Sequence, residues 1–145
     1  MIKFTKGNIF QSDAQVITNP VNCVGVMGKG LALAFKRKFP AMFINYQSHC
    51  RYGDLHLGKV YLTTDLERQI LLFPTKAHWR DNSVLSDIEL GLKYLADNHQ
   101  KMGIQSIAIP PLGCGLGGLD WNKVKDLILW HLGHLETLEV TVYEP

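Results

Sequence analysis

The sequence predicts an α/β fold of three layers, with helices on both faces of a mixed sheet, and three observations lead there. Short apolar runs of strand character alternate with segments of helical period along the whole chain. One run, Ile70-Leu-Leu-Phe73, is apolar without a break, as a strand buried on both faces must be. Two glycine-rich stretches, Asn19 to Gly30 and Pro110 to Gly118, each follow a strand and precede a helix.

Each element has its own signal. Ile2 and Phe4 alternate with Lys3 and Thr5, the pattern of a half-buried strand, and Gly7-Asn8 makes a turn. Ala14 to Thr18 is a second strand, with the first glycine loop after it. Leu31, Ala34 and Phe35 fall at helical spacing, and Lys36-Arg-Lys38 closes that helix, where cations favour its dipole. Pro40 suits the first turn of a second helix, carried by Phe43, Tyr46 and Cys50 and ended by Gly53. Lys59 to Thr63 and Ile70 to Phe73 are strands joined by a polar turn, Asp65 to Gln69. Pro74 to Arg80 is a loop. Ser86-Asp-Ile-Glu89 matches a capping box, with Asn82 or Ser83 as alternative caps one turn earlier. Leu85, Ile88, Leu92 and Leu95 form one apolar face of a third helix, stopped by Gly103. Ser106 to Pro110 is a strand. Asp120 caps a fourth helix, Trp121 to Leu132, and Val140 to Tyr143 is the last strand. The strand at Ile2 and the hairpin-like pair around Asp65 make the sheet mixed. No linker or repeat divides the chain, so residues 1–145 read as one domain.

Composition excludes several classes. A hydrophobic fraction of 46% with 19% charged residues is that of a folded chain, not a disordered one. A net charge of +2 does not announce a nucleic-acid binder. No apolar run approaches a membrane span, and Met1 to Thr5 has no signal core, so no membrane partner is expected. Cys23, Cys50 and Cys114 are odd in number and lack metal spacing, which points to a reduced, cytoplasmic setting. His131 and His134 have no carboxylate or cysteine partner to complete a metal site and read as structural. Neither glycine loop is a Gly-x-x-x-x-Gly-Lys-Ser/Thr phosphate loop. Gly113-x-Gly-x-x-Gly118 matches a dinucleotide fingerprint, but no acidic residue follows at the required distance.

What remains is an anion site. Glycines in both loops let the backbone approach a ligand, and amides at a following helix start favour a phosphate. A diphosphate held between the loops is the simplest ligand that uses both. The loops and Pro74 to Arg80 all follow strands and meet at one end of the sheet. Lys76, at the rim of that crevice, is either a nucleophile made neutral by partial desolvation or a surface lysine. His78 is a proton donor or acceptor, or an exposed loop histidine. Trp79 stacks on a base or covers the core edge, and Arg80 meets a phosphate. Asn22 orients a ribose hydroxyl or base, or makes an Asx turn; its place among the glycines favours binding. Lys36 with its neighbours is either a solvated helix end or a contact to a phosphate backbone. Cys23 and Cys114 read as small packing residues.

The stretches Asn19-Pro-Val-Asn-Cys-Val-Gly-Val-Met-Gly-Lys-Gly30 and Pro110-Pro-Leu-Gly-Cys-Gly-Leu-Gly-Gly-Leu-Asp-Trp121 resemble the two ligand loops of a macrodomain, the ADP-ribose-binding module. The resemblance covers essentially the whole chain. Phe73 to Arg80, reading Phe-Pro-Thr-Lys-x-His-Trp-Arg, resembles the DarG-like class that removes ADP-ribose from thymine bases of DNA and groups with terminal ADP-ribose glycohydrolase. The resemblance implies a six-stranded mixed sheet and an ADP-ribose cleft. Its ligand set is Asn8, Ile9, Asn19, Val24, Gly25, Val26, Met27, Gly28, Lys29, Gly30, Pro111, Gly113, Cys114, Gly115, Leu116 and Gly117. Lys76 falls on the catalytic lysine of the class, acting at the anomeric carbon of the distal ribose. Asn22 falls on an asparagine near the ribose and thymine. Lys36, His78, Trp79 and Arg80 are the expected contacts to DNA, whose target base must be unstacked.

Two positions depart from the wider pattern. Gly117 stands where the terminal glycohydrolase has an aspartate paired with its lysine. Asn8 stands where many macrodomains have an aspartate that accepts from adenine; its side-chain carbonyl still accepts one bond, without the charge. The implied partners are ADP-ribose, ADP-ribosylated DNA and a cognate ADP-ribosyltransferase toxin, with the chain a monomer that needs no cofactor or metal. Members of the class carry a further C-terminal region, so the chain is a stand-alone domain or a piece. Two other readings stay open: hydrolysis of ADP-ribose from proteins or from small derivatives such as the 1″-phosphate or acyl esters, and non-catalytic ADP-ribose binding.

Overall fold

A computed structural model describes residues 1–145. Six strands form one sheet in the order β1-β6-β5-β2-β4-β3: β1 is Ile2–Thr5, β2 Val16–Val21, β3 Tyr61–Asp65, β4 Arg68–Pro74, β5 Ser106–Ile109 and β6 Glu139–Tyr143. All neighbouring pairs are parallel except β3 with β4. The mixed three-layer fold anticipated from sequence is the observed one.

Alternation along the central strands divides the core. Val16, Leu71, Phe73, Ile107 and Ile109 face one helical layer, α3 (Leu85–Asn98) and α4 (Trp121–Leu132). Ile17, Ile70, Leu72 and Ala108 face the other, α1 (Gly30–Lys38) and α2 (Pro40–Tyr52). Consecutive residues of one strand therefore feed opposite cores, which is why β4 reads as an unbroken apolar run. No helix is long and apolar enough to cross a membrane.

Several local expectations move. β2 extends to Val21, so Asn19 and Pro20 are strand residues and the first loop begins at Asn22. The hairpin between β3 and β4 is tighter than the sequence suggests. Only Leu66 and Glu67 turn, at φ of 50° and 64°, the left-handed conformation that two-residue hairpins demand. The capping box at Ser86 does not form, because α3 starts at Leu85 and its cap residue, Val84, makes no side-chain bond. Asp120 caps α4 as expected, accepting from the Asn122 amide. The first turn of α2 has a remote cap instead of a local one: Asp65, from the far end of β3, accepts the Met42 amide at 2.9 Å.

Topology fixes which end of each helix meets the site. The β1, β6, β5, β2 and β4 strands end on one side. α1 starts there and runs away; α2 runs back and returns its C-terminus, Tyr52, to that side, from which antiparallel β3 descends.

Candidate ADP-ribose site

The loop after β2 is organised by Asn22, which is buried. Its Oδ1 accepts from the Val24 amide at 3.1 Å, the Val26 amide at 3.4 Å and the Tyr46 hydroxyl at 2.7 Å. Its Nδ2 donates to the Val26 carbonyl at 2.7 Å. The Asx-turn alternative is thus the one this structure displays, and Asn22 acts here as a scaffold for the loop. One N–H of its amide stays outside these bonds. Tyr46 and Gln47 of α2 brace the same loop, Gln47 Nε2 donating to the Gly25 carbonyl at 3.3 Å.

Bracing by side chains leaves the backbone donors beyond it unused. The amides of Met27, Gly28 and Lys29, and those of the first α1 residues, Gly30, Leu31 and Ala32, have no acceptor in the protein. Lys29, at the cap position of α1, provides no side-chain cap. The positive end of the helix is therefore uncapped beside a run of unbonded amides, the arrangement that takes up an anion.

The loop after β5 repeats this. It folds on itself through Leu119 N–H to the Gly113 carbonyl, Cys114 to Pro111 and Gly118 to Gly115, leaving the Gly113, Gly115 and Leu116 amides without acceptors. Gly113 and Gly115 lie at φ of 72° and 63°, which a side chain adopts only with strain. No carboxylate occurs in residues 22–30 or 110–118, so nothing in either loop opposes a diphosphate. The packing around Gly117 is close on the side where a side chain would project. A Cβ on Gly117 would stand 2.5 Å from Ser83 Oγ, and Ser83 donates its amide to the Gly117 carbonyl at 2.9 Å. Ser83 thus fills the space that a side chain at 117 would need.

The third loop is tied to the first. Thr75 donates its amide to the Val21 carbonyl at 2.8 Å, and Cys23 donates its amide to the Ala77 carbonyl at 3.0 Å. These bonds carry the β2–β4 pairing past the strand ends and hold Lys76 between them. Lys76 is half-buried and makes no ion pair. His78 Nδ1 accepts the Arg80 amide at 3.1 Å, which places the proton of the neutral ring on Nε2. Trp79 is exposed, with the Arg80 guanidinium 4.7 Å from its ring centre and the His78 ring 5.2 Å away.

Burial pushes the thiols up: Cys23 to about 11, with Cys50 adding to the effect, and Cys50 and Cys114 in the same direction. All three are protonated near neutral pH, as packing residues are. No three His, Cys, Asp or Glu side chains gather to hold a metal.

Two expected contacts, Asn19 and Lys36, lie elsewhere, and a third, Asn8, carries a structural bond of its own. Asn19 is fully buried in β2, its Nδ2 3.7 Å from the sulfurs of Met27 and Met42, so its side chain touches core and not cleft. Asn8 Oδ1 caps the 3-10 turn Ile9–Gln11 by accepting the Phe10 amide at 3.0 Å, and the exposed side chain keeps its second lone pair outside any bond in the protein. Lys36 sits in the last turn of α1 with its Nζ over the Phe43 ring at 4.4 Å. Nine residues separate the helix ends, about 13 Å of rise. The cluster Lys36 to Lys38 is therefore at the end of α1 away from the cleft. Ile9 and Met27 are likewise buried, so Met27 offers the cleft its amide only, while Val24, Val26, Gly28, Lys29, Gly115 and Leu116 are exposed. Gly25, Pro111 and Cys114 are half-buried at the same end of the sheet.

The fold and its loops define an α/β domain whose unbonded backbone amides gather at the carboxyl ends of adjacent parallel strands. A Macro domain family model matches residues 18–128, and the chain belongs to the macrodomain family. Among relatives, a DNA ADP-ribosyl glycohydrolase of Thermus aquaticus is 44% identical over 149 residues, covering 100% of this chain and 41% of that protein. One of Mycobacterium tuberculosis is 40% identical, covering 100% of this chain and 42% of that protein. The macrodomain of M. tuberculosis DarG superposes with a TM-score of 0.95, covering 100% of this chain and 98% of that one. The structure of Thermosipho africanus DarTG in complex with ADP-ribose superposes with a TM-score of 0.94 at 41% identity, covering 99% of this chain and 41% of that one. The chain thus spans about two fifths of the length of the curated relatives it matches.

Proposed function

We propose that this macrodomain is a DNA ADP-ribosyl glycohydrolase that removes ADP-ribose from thymidine in single-stranded DNA, with Lys76 as the catalytic residue. The observation that carries it is the half-buried, unpaired Lys76, held by the Thr75–Val21 and Cys23–Ala77 bonds beside a loop of unbonded amides. The relatives named as DNA ADP-ribosyl glycohydrolases, aligned over the whole chain, support the substrate.

In this reading the two sets of free amides hold the diphosphate and set the distal ribose against Lys76. Nζ of Lys76 adds to C1″ and gives up a proton as the bond from C1″ to the thymine ring nitrogen breaks. The bonding pair leaves with thymine, whose nitrogen takes a proton. Water then hydrolyses the C1″–N bond to lysine, giving ADP-ribose and the free amine. His78, with its proton on Nε2, is the donor of suitable chemistry that this loop offers. Trp79 and Arg80 offer a stacking face and a phosphate contact to the single strand. The ADP-ribosyltransferase that makes the modification is the implied partner; one relative, from Thermosipho africanus, is a fusion of DNA ADP-ribosyl transferase and glycohydrolase.

The test is an oligonucleotide carrying ADP-ribose on one thymidine, incubated with wild type and with Lys76→Ala. Release of free ADP-ribose by the wild type alone is expected, with ADP-ribose affinity retained in the variant. No release by the wild type, alongside tight ADP-ribose binding, refutes the activity. The assay then turns to modified proteins and small ADP-ribose esters.

A further inference from the structure

Three aromatic side chains are well exposed: Tyr52, Trp79 and Trp130. Trp130 lies near the C-terminus of α4, at the end of the sheet away from the site. Tyr52 and Trp79 both lie at the site end, and each has an arginine next to it in sequence, Arg51 and Arg80. The two are brought there by different elements. Trp79 is on the Lys76 loop, whereas Tyr52 ends α2 and opens the strap Gly53 to Val60 that leads into β3.

The strap borders the Lys76 loop. It starts against the first glycine loop, since Cys50 and Gln47 of α2 are what a Cβ on Gly25 would touch. The backbone of Leu57 lies against Cys23, the same residue whose amide bonds to Ala77 of the Lys76 loop. Gly58 then packs on Leu90 of α3, and β3 pairs beside β4, from which the Lys76 loop leaves. The strap therefore runs around the sheet edge along the outer side of that loop. Its charge is suited to an anion. Arg51 is exposed and unpaired, and Lys59 at the far end lies over the Tyr61 ring at 4.9 Å. The one acid in the strap, Asp54, is engaged with His49 at 3.1 Å.

We propose that Arg51, Tyr52 and Lys59 are the second half of a single-stranded DNA track whose first half is Trp79 and Arg80, the modified base being presented to Lys76 between them. This rests on the proposed action on DNA and extends it. Exposed aromatic faces that stack on bases, each flanked by a cation for the phosphates, bind single strands without reading sequence. The track replaces the Lys36 to Lys38 cluster, which faces the other end of the sheet.

Two measurements on Arg51→Ala/Tyr52→Ala test it. In the first, a fluorescein-labelled, unmodified single-stranded oligonucleotide is titrated with wild type, the double variant and Trp130→Ala, at low salt. The double variant is expected to bind about tenfold more weakly or worse, with a shallower salt dependence, and Trp130→Ala like wild type. In the second, KM is compared on an oligonucleotide with one ADP-ribosylated thymidine and on the ADP-ribosyl thymidine nucleoside, which has no flanking nucleotides to lie on the track. KM is expected to rise by the same factor on the oligonucleotide alone. Equal oligonucleotide affinity for wild type and double variant overturns the proposal, as does a loss equal on both substrates. A wild type inactive on both substrates refutes the hydrolase reading instead, and the binding titration still decides the track.

Discussion

Asn22 separates a scaffold from a reacting group, and Asn22→Ala distinguishes the two. The substitution removes four hydrogen bonds: three accepted by Oδ1, from Val24, Val26 and Tyr46, and one donated to the Val26 carbonyl. The Val26 amide is the weakest of these at 3.4 Å. Tyr46 keeps the Asn22 carbonyl at 2.9 Å, so its hydroxyl is not orphaned. Three good neutral bonds at ~1 kcal/mol each give a loss of roughly 3 kcal/mol. For a chain of this size that lowers Tm by roughly 6–12 °C. The loop amides also lose their frame, so ADP-ribose affinity falls together with stability. The assays are urea unfolding followed by fluorescence, and calorimetric titration with ADP-ribose. A variant within ~0.5 kcal/mol of wild type that still binds ADP-ribose but no longer turns over would refute the scaffold argument. Asn22 would then act on the substrate directly.

Two further outcomes follow from the packing and the titration of the loops. Gly117→Ala forces a Cβ to within 2.5 Å of Ser83 Oγ and is expected to destabilise by about 1–3 kcal/mol in denaturant unfolding. Ser83→Ala removes that oxygen, which has no hydrogen-bond partner, and is expected to leave the parent stability unchanged or raised and to relieve much of the Gly117→Ala loss. Additive losses in the double variant would show that the two residues do not meet. The Cys23 thiol, raised to about 11, holds less thiolate at a given pH than an ordinary cysteine, and the thiolate is the reactive form. Its alkylation rate by iodoacetamide is expected to climb without levelling between pH 7.5 and 9.5; a plateau near pH 8.5–9 would show an ordinary thiol.

Local pattern made most of the fold legible. Period-two alternation in β1, the unbroken run of β4 and the helical stripes of α3 and α4 are each decided within a few residues, by which face of an element meets a core. The glycine loops were legible for a similar reason. Positive φ at Gly25, Gly113 and Gly115, and donors left free at a helix start, follow from residue type and from position after a strand. Side-chain commitments were not legible, because they depend on partners distant in sequence. Asn22 is claimed by Tyr46, 24 residues on, and Asn19 by two methionine sulfurs. The space at Gly117 is closed by Ser83.

The sequence by itself determined the layers, the two anion-ready loops and the lysine that follows β4, since these rest on local conformational preference. Tertiary structure alone decided which cations lie at the site end of the sheet. α1 starts at the site end and runs away from it, so its basic end, obvious in sequence, is carried away from the site. Antiparallel β3 draws the plain-looking stretch Arg51 to Lys59 back to it.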